Sequence, residues 1–190
     1  MKNPCKQALM TASLSLAMIF PNFAAAESNF AFGGGPLTAD ASVDFRITIP
    51  RILFFQVGTP GGTVDLIDFA PAAADVGSGI AVAGTGGDAT GGAVNVNVRS
   101  NAGQVTIAQN SNGVSLTDGT NNIPFTEILT ASSNAAGLDA PALGSAATTT
   151  PSVASSLTNE SAVWTYSYAN TNVMPASIYT GTVTYTASAP

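Results

Sequence analysis

The sequence has no histidine and one cysteine, Cys5, and charged residues make up only 8% of its 190 positions. Each shortage removes a class of chemistry. Without histidine no Ser-His-Asp or Cys-His site can be assembled, and zinc loses its usual imidazole and thiolate ligands. Five Lys and Arg against eleven Asp and Glu give a formal net charge of −6. Such a chain repels nucleic acid, whose phosphates require clustered basic side chains, and it repels anionic membrane surfaces too. The balance of residues also departs from that of ordinary intracellular domains, about 25% of whose residues are charged.

The first 26 residues read as a secretory signal peptide. Lys2 and Lys6 precede an uncharged run from Ala8 to Phe20, and Pro21 leads into Ala24-Ala25-Ala26. Cleavage is expected between Ala26 and Glu27. The run has about 13 residues where a spanning helix needs about 20, so no stable membrane insertion of the processed chain is expected. Processing would leave 164 residues with three arginines against all eleven acids, a net charge of −8, and would remove every lysine and Cys5. Most side chains that serve as nucleophiles, bases or metal ligands would then be gone, so the chain is expected to be neither an enzyme nor a cofactor or metal binder. A domain of about 150 residues buries enough surface to hold together without disulfides.

What the sequence has in abundance is alternation with a period of two, the signature of strands with one buried face. Val43, Phe45, Ile47 and Ile49 share one face of Ser42–Ile49, with Ser42, Asp44, Arg46 and Thr48 on the other. This predicts a half-buried strand, broken by Pro50 and resumed at Arg51–Val57, where both faces are apolar and either a central strand or one covered by another segment is expected. A short strand is predicted at Thr63–Phe69. Val94, Val96 and Val98 define another inward face, and Ser100–Gly103 predicts a hairpin turn into Gln104–Gln109. Further strands are predicted at Val114–Leu116 and Ile123–Thr130. Ala70–Gly92 and Ala131–Ser161 lack periodicity and read as surface loops or as cover for a short strand such as Ile80–Ala83.

Near the end of the chain, Ala162, Trp164, Tyr166 and Tyr168 fall on one strand face. After a loop, Tyr179, Gly181, Val183, Tyr185 and Ala187 fall on one face of another, with a row of threonines opposite. Gly181 among aromatics marks either a packing accommodation or the close approach of a second backbone. About eight short strands without helices predict an all-β fold: a single antiparallel β-sandwich over residues 41–190, immunoglobulin-like in topology, with a jelly roll as the alternative.

Acidic pairs offer little chemistry. Asp65 and Asp68, three apart on a strand, project to opposite faces and cannot flank one bond. Asp75 and Asp88 in a glycine-rich stretch have neither the spacing of an EF-hand nor that of a nonapeptide repeat, and read as solvated loop acids, with a calcium-binding loop as the alternative.

The segments Ala162–Tyr168 (AVWTYSY) and Met174–Ala187 (MPASIYTGTVTYTA) together resemble the closing hairpin of bacterial exported fimbrial or surface-filament β-sandwich proteins of the pilin-like kind. The resemblance covers roughly the last 30 residues. It implies an immunoglobulin-like fold, a secreted or cell-surface location with the periplasm in transit, an export chaperone as a transient partner, and a structural role in a fimbrium, pilus or biofilm matrix.

Residues 27–40 are expected to form a flexible tail. Within it Phe30 and Phe32, two apart before the triglycine Gly33–Gly35, make a candidate donor strand for a neighbour's sheet, so a homo-oligomer or filament is expected, with Phe30, Phe32 and Gly181 as self-assembly residues. The competing expectation is a secreted module that binds glycan or protein through Trp164, Tyr166, Tyr168 and the long loops.

Overall fold

Valine at every second position makes Ala93–Ser100 a strand that buries one face completely: Val96 and Val98 have no exposure and Val94 almost none. In the computed structural model, which describes residues 29–111 and 113–190, this strand is central to an all-β, antiparallel fold. The strands are β1 (Leu53–Val57), β2 (Ile67–Asp68), β3 (Val82–Ala83), β4 (Thr85–Gly86), β5 (Ala93–Ser100), β6 (Thr106–Asn110), β7 (Ser115–Thr117), β8 (Asn122–Pro124), β9 (Ile128–Ser132), β10 (Thr148–Thr149), β11 (Thr158–Tyr168) and β12 (Thr184–Ser188). The one helical turn among the described residues is 3-10, at Phe125–Glu127.

The larger sheet runs β1, β5, β11, with β3 and β9 also pairing with β11. The smaller runs β10, β6, β12. Two short ribbons, β2 with β4 and β7 with β8, complete the pairing. Alternation builds the core between the sheets: β5 supplies Val94, Val96 and Val98, β11 supplies Ala162, Trp164, Tyr166 and Tyr168, and Val105 and Ile107 come from β6 and its approach.

Trp164 has no exposure, and its indole N–H donates to the Leu138 carbonyl at 3.3 Å. Leu138 and Leu143 are themselves buried. The Ala131–Ser161 stretch, which has no periodicity, therefore covers the core through two anchored leucines.

The chain divides into two compact units, Met1–Thr48 and Ile49–Pro190. The sandwich belongs to the second. In the first, the described residues form no strand, and Phe30 stacks on Phe32 with ring centroids 6.2 Å apart. The expected signal segment and its cleavage point, Ala26 and Glu27, lie outside the described residues.

Four expectations change. Ser42–Ile49 is not a half-buried strand: it joins no sheet, and Val43, Phe45, Ile47 and Ile49 are 73–90% exposed. Alternation records which side chains share a face, and burial needs a partner that this segment does not have among the described residues. Second, β1 is an edge strand rather than a central one. Nor is its outer face covered by another segment: Phe54 is 46% exposed, with the Arg99 guanidinium carbon 5.7 Å from its ring centroid. Third, Ser100–Gly103 is no hairpin turn, because β5 pairs with β1 and β11 while β6 pairs with β10 and β12. The turn carries the chain from one sheet to the other, which lets the valines of β5 and Ile107 meet across the core. Fourth, the predicted Ile123–Thr130 strand is split by the 3-10 turn, which buries Phe125.

Candidate assembly groove

The sandwich is open along one side. β1 is an edge of the larger sheet and β12 an edge of the smaller, and between them runs an apolar groove of about 780 Å³ within the Ile49–Pro190 unit. Phe55 and Val57 of β1 line it on one side and Val183 and Tyr185 on the other, the stretch from Thr59 to Ile67 after β1 also lines it, and β1 and β12 come into contact with each other. The floor is the core itself, reached at Val94, Phe125, Ile128, Leu143 and Tyr166. The wall residues are correspondingly only half-buried, although they pack against the core. A two-sheet fold ordinarily covers such side chains with another strand.

Neither edge is defended. Free edges are normally blunted by charged side chains, proline or a bulge. β1 reads LFFQV and β12 reads TYTAS, with no charge and no proline in either. Ahead of β12, Thr180 bridges to Thr117 through two backbone hydrogen bonds, after which Gly181–Val183 pairs with no strand before β12 begins.

Gly181 lines this groove. A Cβ built there would stand 2.9 Å from Cζ of Phe125 and 3.3 Å from the Leu116 Cα, so the absence of a side chain lets the backbone pass over the buried ring. Of the two readings of Gly181, packing accommodation is the one the geometry supplies. Trp164 and Tyr185 stack obliquely at 5.2 Å, and the hydroxyls of Tyr166 and Tyr185 share a hydrogen bond at 2.9 Å. Burial pushes both phenols above the ordinary tyrosine value; for Tyr166 the neighbouring Tyr185 adds to the effect.

The turn beside the groove is held by acids. Asp65 accepts from the Thr59 amide and hydroxyl at 2.6 and 2.7 Å. It fills the space beneath Gly58, whose φ of +75° and lack of Cβ make room for the carboxylate. Asp118 accepts from the Thr120 and Asn121 amides in the β7–β8 turn, and these backbone bonds hold its carboxyl down to about 2. Asp88 bonds the amide and side chain of Asn95. Three of the acids are thus engaged in shaping turns.

The remaining sequence candidates divide clearly. Phe30 and Phe32 are 84% and 85% exposed. Trp164, Tyr166 and Tyr168 are buried and present no aromatic platform to a ligand. The exposed row Val43, Phe45, Ile47 and Ile49 was legible as a pattern, and its lack of a partner was not. No family model, curated protein or solved structure matches the chain.

Proposed function

We propose that this protein is a structural subunit of an extracellular fibre, pilus or matrix, and that copies join by adding a strand from one to the open sandwich of the next. The observation that carries this reading is the apolar groove between the uncharged edges of β1 and β12. An added strand would satisfy edge amides and carbonyls with main-chain hydrogen bonds while its alternate side chains fill the groove. Because the donor and the acceptor are different surfaces, the contact is heterologous, and it extends into an open filament where its rotation closes no ring. The low charge and the polar surface of Thr, Ser, Asn and Gly suit an exported subunit that meets its own copies.

The alternative, a secreted module that binds glycan or protein, loses its main support with the burial of the Trp164 face. The discriminating experiment is size-exclusion chromatography with light scattering, paired with negative-stain microscopy, on the full chain recovered from the exporting cell across a concentration series. Linear multimers are expected. A monomer at every concentration, with saturable binding on a glycan array, would support the alternative.

A further inference from the structure

We infer that the strand entering the groove is Val43–Ile49 of a second copy, with Val43, Phe45, Ile47 and Ile49 facing in and Asp44 and Arg46 facing out. This rests on the strand-addition reading above and names its donor, which is a different segment from the Phe30–Phe32 tail.

Four observations point to this occupant. The first is exposure: four large apolar side chains at alternate positions are 73–90% exposed on a segment that belongs to no sheet. Isolated exposed hydrophobes are normal on a protein surface, but a row on one strand face is the pattern of a strand whose partner is elsewhere. The second is length. At about 3.3 Å per residue the segment's seven residues reach about 23 Å, long enough to run past the five residues of β1 and the five, Gly181–Tyr185, that line the groove opposite. By contrast, the tail offers only Phe30 and Phe32 before Gly33–Gly35 and Pro36 interrupt it, and proline cannot donate to a ladder.

The third is charge. Asp44 and Arg46 cancel, so the segment is neutral as it approaches an acidic domain. The fourth explains why the donor comes from another copy. To lie beside β1 of its own chain, the segment would have to reverse direction at Pro50–Ile52. That stretch is clasped: the Asn101 side chain accepts from the Ile52 amide at 2.8 Å and donates to the Pro50 carbonyl at 2.8 Å, and the Asn101 amide donates to the Ile52 carbonyl at 3.4 Å. It also contains no glycine, asparagine or aspartate of the sort that tight hairpin turns require. Those three hydrogen bonds fix the path by which the chain enters β1.

The test uses the full chain and two sets of variants. Phe45→Arg with Ile47→Arg alters only exposed, unpaired positions and leaves the sandwich intact, which a thermal melt verifies. Phe30→Arg with Phe32→Arg is the matched change in the tail. The first pair is expected to raise the concentration for half-maximal assembly by more than about a hundredfold, the second by less than about threefold. Synthetic peptides spanning residues 41–50 and 27–38 are then added to the Phe45→Arg/Ile47→Arg protein. Saturable binding of the 41–50 peptide alone is the expected result. Binding of the 27–38 peptide instead, with assembly lost in the tail variant, would overturn the donor assignment and leave strand addition standing. Failure of both peptides to bind, together with a monomeric unmodified chain, would sink both.

Discussion

Tyr166 of the larger sheet and Tyr185 of the smaller meet hydroxyl to hydroxyl at 2.9 Å, bridging the two layers beside the groove. Each phenol satisfies the other where water has little access, and that mutual dependence has measurable consequences. Tyr185→Phe strands the Tyr166 hydroxyl and is expected to cost about 1–3 kcal/mol in urea denaturation. Removing both hydroxyls together should cost less than the sum of the two single changes, because no unpaired group remains.

The same pair makes the fold sensitive to alkali. Both folded-state values lie above the ordinary 10.0, so above about pH 10 the unfolded chain releases protons that the folded chain keeps. Stability is therefore full below pH 10 and declines as pH rises beyond it. The tyrosinate absorbance of these two residues should appear together with loss of the near-ultraviolet circular dichroism of Trp164. Ionisation of Tyr166 well before unfolding would contradict this account.

Gly181 permits the backbone to cross the Phe125 ring, with a Cβ position only 2.9 Å from Cζ. Phe125 is buried, and the Leu116 backbone, 3.3 Å from the same Cβ position, limits how far the new side chain can shift. Gly181→Ala should destabilise the domain by about 1–3 kcal/mol through overpacking, and Gly181→Val by more. Equilibrium denaturation of the two variants provides the check.

Asn101 holds the entry to β1 through Pro50 and Ile52. Asn101→Ala releases both side-chain bonds and should let the 43–49 segment turn back toward its own groove. The expected outcome is a larger monomer fraction at fixed concentration by light scattering, with a domain melting temperature equal to or above that of the parent. Unchanged assembly would show that the clasp does not direct the donor outward.

A copy carrying Phe45→Arg and Ile47→Arg keeps its groove while losing its donor. It should accept one neighbour and pass nothing on. Mixed at one part in ten with the unmodified chain before assembly, it is expected to hold mean filament length to about ten subunits, because a head-to-tail contact has no other route past it. Filament lengths in negative stain measure this directly.

Much of the fold was legible in the residues. The faces of β5 and β11 follow from Val94, Val96 and Val98 and from Trp164, Tyr166 and Tyr168, because a strand sends alternate side chains to opposite sides whatever lies around it. The all-β antiparallel character follows from such runs and from the turn residues between them. Two anchors went unread, Leu138 and Leu143, since single apolar residues in an aperiodic stretch carry no pattern until the core they enter exists.

The sequence alone determined which side chains stand together, and it did so equally well for Ala93–Ser100 and for Ser42–Ile49. Only the tertiary structure decided that the first is buried between two partners and that the second joins no sheet among the described residues and stays exposed. The reason is physical: alternation is a property of one strand's backbone, whereas pairing is a choice among distant segments. That choice turns on where edges are free, where a turn such as Ser100–Gly103 changes sheets, and what Asn101 holds in place.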